Sequence, residues 1–410
     1  MAKGQIITGL DIGTHTIKML VAQRRGQEWD VLSYQQMPSF GLRRGAVVNP
    51  EETAKNIQLL IMDAERESGR KINSVFVNIG GSHLYVIPSD GLISVSRADH
   101  IISQEDIERV LQATRAINIP LNEEILDVFP REFIIDDQKG IKQPLGLIGV
   151  RLEAKVNLLC YFQSYFINLT QAVLNSKLQI DDIVPSTLAA ANAVLTRQQK
   201  EIGVALIDIG AATTSLAVFE EGDLIHFAVF PLGGANITND IAIGLRTEVA
   251  IAEDIKKDHG TCIYIKEKEK KSPKKKSEAP DKSYPVSFTK KQLVNIIGPR
   301  VSEILDLMQK ELKKIGRQEL LPSGIVLTGG GAKMPKIKEL AKQQLKLPVE
   351  VGIPRGITGL TLDPALATVA GLVLEGAELG TEGEGIMGLP ADFLKGLSMK
   401  MKKMFRVFIP

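Results

Sequence analysis

IITGLDIGTHTIKMLV, residues 6–21, decides the fold when it is set beside VALIDIGAATTSLAVF, residues 204–219. In each stretch an apolar run ends near an aspartate, a glycine and small or polar residues turn the backbone, and a second apolar run leaves. Asp11 falls against Asp208, Gly13 against Gly210 and Thr16 against Thr213, all at one constant offset. The chain therefore carries an internal duplication of a strand–turn–strand unit.

The turns carry chemistry as well as shape. A short turn with glycine at its bend exposes successive backbone N–H groups, which form a concave site for phosphate oxygens; Gly13, Thr14 and His15 supply one, and Gly210, Ala211, Ala212 and Thr213 the other. The carboxylates of Asp11 and Asp208 cannot touch phosphate, but they suit Mg²⁺ held through water, because magnesium keeps most of its hydration shell. Two such turns facing each other would clamp one nucleotide–metal complex between two domains. One copy alone is no more than a tight hairpin; the repeat in the same strand context is what points to phosphate.

Composition sets the outer limits. A chain of 410 residues with 44% apolar content can bury more than one core, and a net charge of +2 is not that of a polyanion-seeking protein. The two cysteines, Cys160 and Cys262, lie outside any metal-type spacing and read as buried thiols of a reducing cytoplasm. The N-terminus enters a strand directly, and no apolar run of about 18 residues occurs, so neither export nor a membrane span is expected.

Along the chain, a third strand (29–36), a helix opened by Pro50 and a strand at 73–79 complete a βββαβ unit. From residue 84 a segment of strands (92–95 and 156–162 among them) and a helix at 103–116, capped by Ser103 and Asp106, interrupts that progression. After the second turn, Gly233 and Gly234 stand at a strand-to-helix junction, where backbone can approach an anionic ligand. Glu253 and Lys256 share one helix face, a spacing that by itself reads as a salt bridge. A helix is expected from Pro299 to residue 312. Gly329, Gly330 and Gly331, followed by Met334, leave room for a nucleobase against the backbone. Small-residue helices follow Ser186 and Asp363.

Residues 266–282 are Lys-rich and polar and read as a mobile loop; with no aromatic platform beside it, nucleic-acid binding is not expected. Residues 376–390 read as a linker. In 391–410, Phe393, Leu394, Leu397, Met401, Met404, Phe405 and Phe408 fall within one arc about 120° wide at about 100° per residue, with the lysines outside it. That is the pattern of a basic amphipathic helix lying in a bilayer interface, with docking into a partner's groove as the alternative.

The paired turns resemble the phosphate loops of the superfamily that unites actin, sugar kinases and heat-shock chaperone ATPases. The interrupting segment and the tail are similar to the bacterial cell-division family FtsA, over nearly the whole chain. The resemblance implies an α/β, actin-like two-domain fold built on a duplicated βββαβα, ribonuclease-H-like unit, with an inserted α+β subdomain and a C-terminal amphipathic helix. It implies domain I at 1–83 and 164–199, the insertion at 84–163, domain II at 200–235 and 325–376, a subdomain at 236–324, the linker at 377–390 and the membrane helix at 391–410.

It further implies ATP and Mg²⁺ as cofactors, Lys18 near the phosphates, and Glu253 with Lys256 at the ribose and adenine. The helices after Ser186 and Asp363 become the interdomain hinge. Ser186 stands where the family often has a glutamate that orients the attacking water, so nucleotide binding with slow hydrolysis at most is expected. The implied partners are the tubulin-like protein FtsZ through 236–324, further division proteins through the insertion, a second copy of the chain in a protofilament, and the inner leaflet of the cytoplasmic membrane at the division site. A pilus-assembly homologue of the PilM type would share the insertion without needing the tail. A kinase or chaperone would need a substrate cleft or a peptide-binding domain, and the sequence displays neither.

Overall fold

The computed structural model describes residues 5–26, 28–264 and 284–381. The whole Lys-rich loop at 266–282 and all of the tail helix at 391–410, with its seven apolar anchors, lie outside the described residues.

The first unit runs β1 (Ile6–Ile12), β2 (Thr16–Arg25), β3 (Glu28–Pro38), a small hairpin of β4 (Leu42–Arg43) and β5 (Ala46–Val47), α1 (Pro50–Ser68) and β6 (Ser74–Ile79). Asn49 caps α1 by accepting from the Glu52 N–H, Pro50 starts it, and Gly69 at φ +63° ends it. Ile57, Leu60 and Ala64 then face the sheet, fully buried.

The interrupting segment is a sheet of β7 (Tyr85–Ser94), β8 (Glu123–Ile135), β9 (Gln138–Ile141) and β10 (Arg151–Phe162) with α2 (Gln104–Thr114) packed on it, in strand order β7-β10-β8-β9. Ser103 and Asp106 form the expected capping box. Strands β7 and β10 start earlier than the expected 92–95 and 156–162. Pro88 sits on the edge strand β7, and Pro130 sits where the β8–β10 register shifts, both places where a missing N–H costs little.

The chain returns through α3 (Gln163–Asn175), β11 (Gln179–Pro185), α4 (Ser186–Val194) and α5 (Arg197–Ile202). The second unit is β12 (Val204–Ile209), β13 (Thr214–Glu220), β14 (Asp223–Phe230), α6 (Gly234–Leu245), α7 (Val249–His259), α8 (Lys290–Lys314), β15 (Ile325–Thr328), a 3₁₀ turn (Gly330–Lys333), α9 (Ile337–Leu345) and β16 (Val349–Val351). A short β17 (Ile357–Thr358) and α10 (Ala367–Thr381) close the described chain.

The main sheets run β11-β6-β1-β2-β3-β17 and β14-β13-β12-β15-β16. In each, the strand before the turn pairs antiparallel with the strand after it and parallel with the strand on its other side. The duplication in sequence is thus a duplication of topology.

Two expectations are corrected. Helix α8 begins at Lys290 under a Thr289–Gln292 capping box and runs through Pro299. Burial of Leu293 and Ile297 on the near side of the proline outweighs the hydrogen bond it forfeits. Helix α10 runs to Thr381, where a linker from 376 was expected, because Gly376 lets the helix lie against Ile7 and Phe76.

The small-residue helices explain how the halves meet. Helix α4 follows β11 of the first sheet and packs against β12 and β13 of the second, while α10 follows β17 and packs against β1, β2 and β6 of the first. They cross in contact: a Cβ at Gly371 would stand 1.7 Å from the Ala189 carbonyl oxygen. Among the described residues no helix is long and apolar enough to cross a membrane.

Candidate functional site

Both turns open onto one cavity of about 870 Å³ between the two halves. In the first, the Gly13 N–H donates to the Thr16 carbonyl (3.2 Å); in the second, the Gly210 N–H donates to the Thr213 carbonyl (2.8 Å). The turn carbonyls are tied back from outside. Ser39 donates its hydroxyl to the Gly13 carbonyl and its N–H to the His15 carbonyl, while the Gly234 and Ala235 N–H groups at the start of α6 donate to the Gly210 and Ala211 carbonyls. Among the described residues the N–H groups of Thr14, His15, Ala211 and Ala212 have no backbone partner, which leaves two N–H nests of the kind that take phosphate oxygens.

The aspartates differ in their neighbours. Asp11 and Lys18 are direct cross-strand partners in the first hairpin, and the lysine donates to Asp11 Oδ2 at 2.8 Å. The cross-strand partner of Asp208 is Ser215, so the second hairpin supplies no cation. Burial first, and then the nearby negative charge of Asp11, push the Asp208 carboxyl up to about 6, with Lys18 partly offsetting them. A pair of hard oxygen donors, one of them without an ion-pair partner among the described residues, suits a divalent cation held through its water shell.

Asn78, at the end of β6, was not anticipated. Its Oδ1 accepts from the Ile12 N–H (2.7 Å), and its amide donates to Asp11 Oδ1 (3.0 Å) and to Ser186 Oγ (3.0 Å). It therefore fixes the second oxygen of Asp11 and ties it to the first residue of α4. A polar residue closing an apolar strand just before Gly80-Gly81 was the available signal. Ser186 donates onward to the Ile79 carbonyl, so its hydroxyl hydrogen is engaged.

On the opposite wall, Lys256 Nζ donates to Glu253 Oε2 (2.6 Å), Thr238 Oγ1 (2.7 Å) and the Gly234 carbonyl (3.1 Å). Burial opposes ionisation of Glu253, but the Lys256 and Thr238 hydrogen bonds prevail and hold its carboxyl below the usual range. The three glycines separate by role. A Cβ at Gly329 (φ +81°) would meet Asp208 Oδ1 at 2.2 Å, and one at Gly331 would meet Ile209 Cγ2 at 2.2 Å, whereas nothing stands near Gly330. Two of the glycines make room for the strand that carries Asp208, and only Gly330 leaves open space.

Met334 also lines the cavity; Ala212 and Gly233 do not. Gly233 works from behind, since a Cβ there would meet the Gly210 carbonyl oxygen at 2.6 Å and push α6 off the turn. Tyr34 and Asp363 complete the wall. Burial opposes ionisation of Asp363, but a 2.6 Å bond from Lys333 keeps its carboxyl below the usual range. The Tyr34 hydroxyl is pushed above its ordinary value by burial and by the charges of Asp11 and Asp363.

A family model described as "Cell division protein FtsA" matches residues 205–371, and one described as "SHS2 domain inserted in FTSA" matches 81–160. The chain is 38% identical to the cell division protein FtsA of Pseudomonas aeruginosa over 93% of this chain and 91% of that one. It is 35% identical to FtsA of Bacillus subtilis (91% and 84% covered) and 31% identical to FtsA of Escherichia coli (98% and 98%). Among solved structures it resembles a PilM–PilN type IV pilus biogenesis complex (TM-score 0.65, 20% identity, 90% of this chain and 98% of that one). It also resembles MreB5 of Spiroplasma citri bound to ADP (TM-score 0.54, 14% identity, 93% and 99%). The fold is actin-like, with an SHS2 subdomain inserted in the first half.

Proposed function

Because the chain belongs to the FtsA family of bacterial cell-division proteins, we propose that it is a nucleotide-controlled tether that holds FtsZ filaments on the cytoplasmic face of the membrane. One observation carries the nucleotide half of this reading: among the described residues Asp208 makes no ion pair, in a cavity where both duplicated turns open. ATP fits there with its phosphates on the two nests, its ribose by Glu253 and Lys256, and its base beside Gly330 and Met334. Asp11 and Asp208 would hold Mg²⁺ through water, and the ion would supply positive charge to the phosphate oxygens. Lys18 and Asn78 fix both oxygens of Asp11, and the free carboxylate of Asp208 can turn to meet the ion.

A ligand touching both turns favours closure of the halves about α4 and α10. Ser186 supports slow turnover: its hydroxyl donates to a backbone carbonyl and, unlike a carboxylate, is too weakly basic to take a proton from water. In this reading nucleotide governs closure and self-assembly, FtsZ docks on 236–324, further division proteins dock on the inserted subdomain, and 391–410 anchors the assembly. The pilus-assembly alternative has the fold likeness alone, at 20% identity.

Reconstitution tests the tether directly. FtsZ polymers should float with anionic liposomes only when the full chain and Mg²⁺–ATP are both present. A chain that floats while FtsZ stays behind, at low as well as physiological salt, would overturn the tether.

A further inference from the structure

Among the described residues the cleft contains too little free positive charge for a triphosphate. Four lysines line it, and each is already paired: Lys18 with Asp11 (2.8 Å), Lys256 and Lys257 with Glu253 (2.6 and 3.4 Å), and Lys333 with Asp363 (2.6 Å). Asp208 adds a further negative charge. A nucleoside triphosphate with one divalent ion brings about two more, and phosphate-handling sites meet such charge with preorganised cations.

The rim supplies a candidate at a place where the backbone breaks its own rule. Strands β4 and β5 pair Arg43 with Ala46, so Arg44-Gly45 is a two-residue hairpin turn. Both residues are left-handed, at φ +51° and +82°. Such turns favour Asn-Gly or Asp-Gly, since a side chain with a Cβ adopts this conformation at a cost. An arginine in the first position is a local inconsistency of the kind that marks functional sites.

The turn is also held in place. Gly45 lines the cavity, and a Cβ on it would lie 2.8 Å from Gly81 Cα and 3.4 Å from the methyl of Thr213, the last residue of the second phosphate turn. The tip thus reaches from the first half to the second. Arg44 is exposed, and among the described residues its guanidinium joins no ion pair.

We propose that Arg44 closes over the mouth of the cleft onto the terminal phosphate of a bound nucleoside triphosphate, so that the turn discriminates triphosphate from diphosphate. A guanidinium fork matches a terminal phosphate in two hydrogen bonds and adds the missing charge. The inference rests on the nucleotide reading above and goes beyond it by assigning the residue that senses the γ-phosphate.

Titration of the full chain with ATP and with ADP, each with Mg²⁺, tests it in the parent, R44A, R44K, R44G and R43A. R44A should bind ATP about tenfold more weakly and ADP within about twofold of the parent, with R44K between them. R43A, which removes the same charge one residue away, should change both by less than about twofold. R44G separates binding from architecture: it relieves the left-handed strain, so its melting temperature should hold or rise while its ATP preference is lost. An ATP-to-ADP affinity ratio unchanged in R44A and R44G, beside a parent that binds both nucleotides, overturns the assignment and leaves the nucleotide reading standing. A parent that binds neither removes the nucleotide reading and the assignment together.

Discussion

Replacing Asp208 by asparagine should stabilise the ligand-free protein, an unusual expectation for a residue at a binding site. The carboxyl sits at about 6 against an ordinary 3.8. At about 1.4 kcal/mol for each pH unit, keeping it ionised costs the fold about 3 kcal/mol. The amide removes that charge, although its own partly buried polar group returns about 1 kcal/mol, which leaves a net gain of about 2. The sign with pH follows from the direction of the shift. A carboxyl raised in the folded state favours folding most below its unfolded value of 3.8, and that contribution is lost as pH rises through about 6. The advantage of the amide should therefore be largest at pH 8 and should close as pH falls from about 6 towards 4. Thermal unfolding without nucleotide reads this as a rise of roughly 4–8 °C at pH 8, at about 2–4 °C per kcal/mol for a unit of this size. An asparagine variant less stable than the parent at pH 8, or a gap that ignores pH, would refute the reasoning.

Other expectations follow from the same geometry. Gly371→Ala should lower the melting temperature by the equivalent of at least about 3 kcal/mol, because a methyl there meets the Ala189 carbonyl at 1.7 Å; a loss below about 0.5 kcal/mol would mean that α4 and α10 part freely. Asn78→Ala should cost about 1–3 kcal/mol by leaving the buried Ile12 N–H without a partner, and should blunt the Mg²⁺ dependence of nucleotide affinity more than affinity without metal. Ser186→Glu should raise whatever hydrolysis rate the parent shows, measured as phosphate release; a parent already turning over at the roughly 1–10³ s⁻¹ typical of enzymes would contradict slow hydrolysis. Phe405→Glu with Phe408→Glu should abolish liposome flotation although the lysines remain, since each buried large apolar side chain contributes on the order of 1.5–3 kcal/mol.

What the sequence made legible is what local geometry controls. The two hairpins could be read because an apolar run, a glycine bend and a second apolar run are complete within each stretch, and the constant offset then exposed the duplication of the sheets. Even the Asp11–Lys18 pair was implicit, since residues flanking a short turn at these positions must face each other across the ladder. The role of Asn78 was not legible, for the opposite reason. Its partners Ile12, Asp11 and Ser186 come from other strands and a helix, and only the parallel packing of β6 beside β1 brings them together. Proline misled in α8: local rules treat Pro299 as a start, but the buried face of the helix on both sides of it shows tertiary packing overriding them. The roles of Gly329 and Gly331 were half legible. The need for absent side chains was plain, but the neighbours that forbid them, Asp208 and Ile209, belong to a strand more than a hundred residues earlier.

The most direct test is an equilibrium titration of the purified chain with fluorescently labelled ATP, with and without Mg²⁺, in the parent and in the D11A/D208A double variant. The duplicated turns and their paired aspartates predict saturable, Mg²⁺-dependent binding by the parent and its loss in a double variant that still unfolds cooperatively. Equal affinity in the two proteins would contradict a nucleotide held between the halves by these turns.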